Sequence, residues 1–375
     1  MANSTSRDTG VRSSLLEPAV YRDANHFARE QPWLRDNCWH FVCLKREIDR
    51  PNGYATAEIG GAAITVENTR VGLAAFRNVC SHRLARLRMG RVGAEPFVCP
   101  YHGWTYDEEG VPSRIPFNDG CFHLSEENRR GLALPRYRVG TCGEFVFVAH
   151  WHMKQSLSDY LGPEVSEFLE RLSGGFCGNV RSDELEISAN WKLAIENAMD
   201  PIHSPFIHRT TFGAIATLKV DDKFYGPHSW YLMELKPDYL ARLSRIERFI
   251  PNRPFRVDGY LHLHVFPYLS IGTNMGLTCM IQNIEPRAAA VTNLMNRYVD
   301  MELTGPGERV GPQIDAIRSL ADQFTTTIGT EDREIVERVQ LGLSDAFPPT
   351  GLLGSNERRI SHFHRQYAMA AERFR

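Results

Sequence analysis

A chain of 375 residues is long enough for two domains. Its charge is balanced, 43 basic against 45 acidic residues for a formal −2, which excludes a basic nucleic-acid surface or an acidic tail as its organising feature. No apolar run is long enough to cross a bilayer, and the polar start, Met1 to Glu17, lacks the apolar core of a signal peptide and reads as a disordered lead-in.

In chain order, Val20 to Arg29 carries a weak helical pattern, and Trp33 and Trp39 follow in a bend. From Phe41 to about His150 the chain reads as short strands and turns, among them Ala62–Glu67 and Glu144–Ala149, which predicts a small antiparallel β domain. Leu157 to Leu172 reads as a helix closed by Ser173-Gly-Gly175, Asp183 to Ser188 as a strand, and Asn190 to Met199 as a helix. His228–Leu235, Tyr260–Phe266, Leu277–Ile284 and Thr292–Glu302 read as four strands of an antiparallel sheet. Pro312–Phe324 and Thr330–Leu343 read as two helices, and Asn356–Phe374 as a polar amphipathic one. The fold class is therefore α+β: an antiparallel β domain, then a domain whose sheet is covered by helices.

The most informative stretch lies in the β-rich half. Cys80-Ser81-His82 is followed, after sixteen residues, by Cys99-Pro100-Tyr101-His102-Gly103-Trp104. Each half offers one thiolate and one imidazole from a short turn. Together they supply two sulfurs for one iron of a [2Fe–2S] cluster and two nitrogens for the other. Two neutral imidazoles in place of two thiolates leave the cluster less negative and raise its potential. The same four ligand types also suit a structural zinc. Pro100 stiffens the second turn, and Gly103 has no Cβ to hold backbone away from a sulfide. The other six cysteines, Cys38, Cys43, Cys121, Cys142, Cys177 and Cys279, show no framework spacing and read as reduced and buried, which fits a cytoplasmic protein.

A second loaded stretch is Glu196-Asn197-Ala-Met-Asp200-Pro-Ile-His203-Ser-Pro-Phe-Ile-His208. Asp200 and His203 share a helical face, while Pro201 and Pro205 bend the chain so that His203 and His208 can turn to one point. Two histidines and a carboxylate form the facial triad of non-haem Fe(II) oxygen chemistry. Asp200 is nearest in sequence, but Asp332 is the better third ligand. Thr330 can cap the helix that follows, and Ile335, Val336, Val339 and Leu343 form an apolar stripe three, four, seven and eleven residues beyond Asp332. A carboxylate at the end of a buried stripe needs a partner, and a metal is one.

The run Asn78 to Arg83 with Cys99 to Tyr106, and the frame Asp-x-x-His-x-x-x-x-His with a distant acid, resemble the Rieske non-haem iron oxygenases over nearly the whole chain from about Trp33. Asn190-Trp191-Lys192 and Glu196-Asn197 look like the family too. The resemblance implies a Rieske [2Fe–2S] cluster on Cys80, His82, Cys99 and His102, and a mononuclear Fe(II) on His203, His208 and Asp332. It also implies that Asp200 is not a ligand but bridges to His102 of a neighbouring subunit in a head-to-tail homotrimer. The domains this predicts are an N-terminal segment and helix at 1–40 packing on the catalytic domain, a Rieske domain at 41–155 and a mononuclear iron catalytic domain at 156–375.

Activation of O2 takes two electrons, so a ferrous ion that gives one readily needs a one-electron store nearby. Neither a Gly-x-Gly-x-x-Gly fingerprint nor a plant-type ferredoxin cysteine run is present. The expected function is a terminal oxygenase, fed by NAD(P)H through a separate reductase and perhaps a ferredoxin, that hydroxylates an aromatic or heteroaromatic substrate. Oxidative N- or O-demethylation uses the same irons, and a Rieske electron carrier without its own catalysis is the reading from another class. Expected pocket walls are Phe206–Trp230 and Tyr260–Gln282, with Phe212, Phe224, Tyr225, Trp230 and Phe266 as candidates to hold a ring or a methylated ammonium.

Overall fold

The strands between Phe41 and His150 close on one another because they alternate around two apolar clusters. In the computed structural model, which describes residues 12–13, 16–247, 250, 252–304, 311–349 and 351–374, the chain divides into two units. One is Gln31–Gly174; the other joins residues up to Glu30 with Gly175 onward. The lead-in expected over Met1–Glu17 falls almost wholly outside the described residues.

The first unit holds an antiparallel sheet of β1 (Trp39–Leu44), β2 (Gly53–Ile59), β3 (Ala62–Thr69), β4 (Gly72–Arg77), β5 (Val92–Ala94), β8 (Arg136–Cys142) and β9 (Phe145–Ala149). Their spatial order is β1-β9-β8-β4-β3-β2-β5, and a two-stranded ladder of β6 (Thr105–Tyr106) and β7 (Pro112–Arg114) stands apart from it. Val42, Ile64, Val66 and Val146 centre one core cluster. Phe76, Leu87, Trp104, Tyr106 and Leu134 centre a second, which also takes in Cys80 and Cys99. The division at Gly174 lies later than the expected boundary at residue 155. Helix α2 (Leu157–Ser173), capped by Ser156 Oγ on Asp159 N at 3.1 Å, buries Leu161, Val165, Leu169 and Leu172 and packs on β8 and β9. The apolar stripe thus commits that helix to the cluster-bearing unit. The N-terminal boundary also differs from residue 40: helix α1 (Ala24–Asn37) runs through Pro32 and Trp33, where a bend was expected, and the division passes through it. Buried Glu30, Gln31 and Leu34 hold it despite the missing proline N–H.

The second unit has seven antiparallel strands: β10 (Phe176–Ile187), β11 (Ala216–Tyr225), β12 (His228–Leu235), β13 (Tyr260–Val265), β14 (Leu269–Asn274), β15 (Thr278–Ala288) and β16 (Val291–Met301). They run in the order β10-β16-β15-β14-β13-β12-β11. The sequence reading found β10, β12, β13, β15 and β16 and missed two. β11 reads polar and lies at the sheet edge. β14 is Leu-Ser-Ile-Gly-Thr-Asn, weak by strand propensity, yet Gly272 is required there, because the Tyr260 hydroxyl lies 2.5 Å from where a Cβ would stand. On β12 and β13, Ser229 pairs with His264, Tyr231 with His262 and Met233 with Tyr260, so these residues share one face.

The helices of this unit that bear on the site are α3 (Trp191–Met199), a single turn α4 (Ser204–Ile207) after it, α5 (Pro312–Leu343) and α6 (Arg358–Ala371). Asn190 caps α3 through Oδ1 on Lys192 N at 3.0 Å. Two separate helices were expected where α5 runs unbroken. Thr330 is no cap: its hydroxyl donates to Thr326 O one turn back. The helix continues through the Thr-rich middle despite its weak propensity, with Thr326, Thr327 and Thr330 exposed. Nor is α6 merely polar outside an apolar face, since Arg359, His362 and His364 are buried with Ile360, Phe363 and Tyr367. Among the described residues no helix is long and apolar enough to cross a membrane.

A buried ion pair ties the helix that carries the second loaded stretch to its neighbours. Lys192 Nζ donates to Glu30 Oε2 at 2.8 Å with both side chains 0% exposed. Trp191 Nε1 donates to Glu30 Oε1 at 2.8 Å, and the Tyr367 hydroxyl donates to Glu30 as well. Three helices meet on one carboxylate. Lys192→Met should therefore cost about 3–5 kcal/mol of unfolding free energy, because Glu30 is left buried without its cation. Urea titration checks this, and an unchanged midpoint would contradict it.

Candidate functional site

The first site is built from two closed turns. Cys80 N donates to Ala85 O and Leu84 N to Cys80 O; Cys99 N donates to Trp104 O and Gly103 N to Cys99 O. Gly103 sits at φ +70°, a conformation that only glycine adopts without strain. Each turn presents its thiol inward, with Cys80 and Cys99 1% and 2% exposed. The His82 and His102 rings lie 4.6 Å apart by centroid, and Trp104 stacks on His82 at 4.9 Å and 7°. Burial raises the Cys99 thiol above its usual range; the Tyr101 and His102 amides oppose the rise and the neighbouring Cys80 adds to it. The Tyr106 hydroxyl donates to Cys80 Sγ at 3.1 Å and accepts from Ser81 N at 3.0 Å.

This donor set fits a bridged iron pair. The Nδ1 atoms of both His82 and His102 are buried and have no hydrogen-bond partner, a costly arrangement unless something else takes those lone pairs. Two buried thiols beside them are stable as thiolates only around cations. A residue that the sequence reading missed holds the turns in place. Arg88, 2% exposed by side chain, pairs with Glu67 at 2.8 Å and donates to Glu95 O and Pro96 O at 2.9 and 3.0 Å. Its backbone is clasped by the Asn78 amide. One guanidinium thus pins the segment before Cys99 to the segment after Cys80. Sequence gives no sign of this, because an arginine in a loop normally reads as solvated.

The second site gathers around α3, α4 and α5. His203, His208 and Asp332 each bring one ligand atom into a group whose members lie within 4.8 Å of one another. His203 Nε2 and His208 Nε2 are 3.1 Å apart, His208 Nε2 and Asp332 Oδ1 3.1 Å, and His203 Nε2 and Asp332 Oδ1 3.8 Å. An ion with bonds of about 2.1 Å in octahedral geometry places cis donors about 3 Å apart. The three atoms therefore match one face of such an ion. The other ring nitrogens are held by carboxylates: His203 Nδ1 by Asp200 Oδ2 at 3.3 Å and His208 Nδ1 by Glu331 Oε2 at 2.8 Å. Burial lowers the His208 imidazole, but Asp332 and Glu331 outweigh it and the net shift is upward. Asn197 Nδ2 donates to Asp332 Oδ1 at 2.8 Å.

Local structure reaches this arrangement by a different route from the one read in the sequence. α3 ends at Met199, so Asp200 and His203 meet through a turn in which Ile202 N donates to Asp200 Oδ1 at 2.7 Å, not along a helical face. Asp332 lies well inside α5 and not in its first turn, so no helix terminus assists it. The buried face below it runs through Val336 and Gln340, while Val339 is 45% exposed. Glu331, which the sequence reading did not use, turns to His208 and Thr211. Of the expected pocket aromatics, only Phe212 stands by Tyr260, at 4.5 Å between centroids. Phe224 packs on His362, Tyr225 on Trp230 and Phe266 on Phe363. Tyr231 and Tyr260, which the sequence reading did not single out, feel the field of Asp332, and burial raises both hydroxyls.

Glu331→Gln should weaken Fe(II) binding at this site by about 10–100-fold, since the carboxylate behind His208 is lost; anaerobic Fe(II) titration reads this, and an unchanged affinity would contradict it. Arg88→Met should destabilise the first unit by about 3–5 kcal/mol through the stranded Glu67 and lower its visible iron–sulfur absorbance. Full absorbance at unchanged stability would contradict the pinning role.

Two family models match the chain. Residues 38–135 match the Rieske [2Fe–2S] domain, and residues 177–372 match the ring hydroxylating alpha subunit (catalytic domain). The large oxygenase component of a naphthalene 1,2-dioxygenase system from Pseudomonas fluorescens is 31% identical over 350 residues, 83% of this chain and 74% of that protein. The large oxygenase component of a salicylate 5-hydroxylase from a Ralstonia species is 31% identical over 239 residues, 57% of this chain and 55% of its own length. The matched part spans about half the length of the first curated relatives. A crystal structure of a quaternary ammonium Rieske monooxygenase shares the fold, with a TM-score of 0.78 at 19% identity over 97% of this chain and 96% of that one. The chain thus belongs to the ring-hydroxylating oxygenase alpha subunits, with a Rieske [2Fe–2S] domain preceding the oxygenase catalytic domain.

Proposed function

We propose that this chain is a terminal oxygenase in which Cys80, His82, Cys99 and His102 hold the [2Fe–2S] cluster and His203, His208 and Asp332 hold a ferrous ion. The single observation that carries the reading is the spacing of the two Nε2 atoms and Asp332 Oδ1, three donors on one face with the other face left to O2 and substrate. When bound, the iron supplies oxygen activation, and the cluster supplies single electrons. The chain's own groups do the rest. Asp200 and Glu331 keep the protons of His203 and His208 on Nδ1 and so aim both Nε2 atoms at one point. Asn197 fixes the Asp332 carboxylate. Phe212, next to the Gly213 N that donates to His208 O, packs on Tyr260 and so begins a row of aromatic rings that reaches Tyr231.

The substrate is an organic molecule, with aromatic hydroxylation the first reading by likeness to the naphthalene and salicylate relatives. Oxidative N- or O-demethylation is the second reading; a likeness to a monooxygenase, the oxygenase subunit of a carnitine monooxygenase from Acinetobacter baumannii, 24% identical over 86% of this chain, keeps single-oxygen chemistry beside dioxygenation. Several relatives are named as components of larger systems, which supports a separate NAD(P)H-dependent reductase, with or without a ferredoxin. Among the described residues no cysteine forms a disulfide, which suits a reducing cytoplasm; Cys121 is exposed and Cys177 half-buried where burial was expected.

The chain works as a homotrimer in which Asp200 meets His102 of the partner subunit and carries the electron path between the two metal sites. Its place fits that duty: Asp200 already holds His203 and is 18% exposed by side chain. Asp200→Asn should keep cluster and iron content while losing product in single turnover of prereduced protein. Normal product yield from that variant, or a monomer in light scattering, would contradict the bridging role.

A further inference from the structure

Arg359 stands out among the groups that the metal chemistry leaves unused. It lies near the start of α6, 2% exposed, in the interior of the catalytic unit. Its Nε donates to Ser229 Oγ at 3.0 Å, Nη2 to Ser229 O at 2.8 Å and Nη1 to His262 Nδ1 at 2.9 Å. His262 Nδ1 must accept, since a guanidinium only donates, so the His262 proton sits on Nε2 and is given to Ser270 Oγ at 2.7 Å. Burial, and then Arg359 itself, holds His262 well below its ordinary range, in its neutral form.

Every one of these partners is uncharged. Among the described residues no carboxylate lies within ion-pair distance of Arg359. Asp222, 5% exposed by side chain, acts on it from beyond that distance, and Arg359 acts on Asp222 more strongly than Arg358 does at 3.9 Å, so the only anion among the described residues that bears on the guanidinium does so without touching it. Burial lowers the guanidinium to about 10, which leaves it a cation at neutral pH. A buried cation without an anion is a costly arrangement, and a neutral amide could make bonds to Ser229 and His262 without that cost. A guanidinium has five N–H groups; three are used here, which leaves one on each Nη, the fork that grips a carboxylate with two parallel bonds.

The place of this cation matters as much as its charge. The guanidinium lies 4.8 Å from the centre of the Tyr231 ring. Tyr231 also feels the fields of Asp200 and Asp332, and its ring lies 6.1 Å from that of Tyr260, which packs on Phe212. Gly213 N, next to Phe212, donates to His208 O at 2.8 Å, so a row of rings runs from the metal-ligand turn through Phe212, Tyr260 and Tyr231 to the cation.

We propose that Arg359 is a specificity-determining residue that binds a carboxylate of the substrate, so that this oxygenase takes organic acids and disfavours neutral hydrocarbons. The proposal rests on the oxygenase reading above and narrows its substrate class. It sets this chain with relatives whose named substrate is an acid, such as salicylate, and apart from the naphthalene relative.

The test is calorimetric binding to the iron-loaded protein of benzoate and L-carnitine, each against its primary amide, with iron content measured on the same samples. At least one acid should bind about 10- to 100-fold more tightly than its amide, the range of hydrogen bonds to a charged group. Arg359→Gln should erase that preference while amide binding stays put. Arg359→Lys, which keeps the charge but not the fork, should retain only part of it, and serves where the glutamine variant does not fold. Equal binding of acid and amide to the unmodified protein, or an undiminished preference in either variant, overturns the proposal. Full iron with no acid preference sinks the role of Arg359 alone, whereas absence of the mononuclear iron sinks the oxygenase reading.

Discussion

Two imidazole Nε2 atoms held 3.1 Å apart cannot face each other as bare lone pairs without repulsion, and a carboxylate oxygen 3.1 Å from one of them adds a third. A proton on one ring or a metal ion among the three makes that arrangement favourable, and only a metal ion takes up all three donors at once. The catalytic unit is arranged to impose it. Asp200 and Glu331 take the Nδ1 side of each ring, Asn197 fixes Asp332, and the three come from a turn after α3 and from the middle of α5. The buried Glu30–Lys192 pair holds α3 in place from behind, so the position of the ligand loop depends on a helix contact far along the sequence.

The cluster-bearing unit meets a related demand with different means. There the donors are two thiols buried in an apolar cluster and two imidazoles whose Nδ1 atoms lack any protein partner. Neither set is comfortable without metal, and both are kept in place by a buried charge pair, Arg88–Glu67 in one unit and Lys192–Glu30 in the other. In each case a charged side chain that is expensive to bury fixes a geometry that apolar packing, being non-directional, could not specify.

Much of this was legible in the chain itself, and the reasons differ from residue to residue. Ligand motifs such as Cys80-x-His82 and Cys99-x-x-His102 are local, so spacing alone exposes them. Strands with clear alternation, such as Tyr260–Val265, were legible too. β14 and β11 were not, because one depends on a glycine demanded by the Tyr260 hydroxyl and the other is a polar edge. α5 was read as two helices because a run of β-branched threonines looks like a break by propensity, yet the helix runs through it. Asp332 was reached through an apolar stripe that is only partly buried, and its neighbour Glu331 was passed over although it turns to the same histidine. Arg88, Tyr231 and Arg359 gave no signal: what each does depends on partners in other segments, from 7 residues away for Arg88 to 130 for Arg359, which a single sequence cannot bring together.

The most direct measurement is iron stoichiometry with electron-spin spectroscopy on purified protein and on His208→Ala. About three irons per chain, two of them giving the rhombic signal of a mixed thiolate–imidazole cluster, falling to about two in the variant with that signal intact, are what the paired sites require. Two irons in both proteins, or a colourless chain holding zinc, would contradict them.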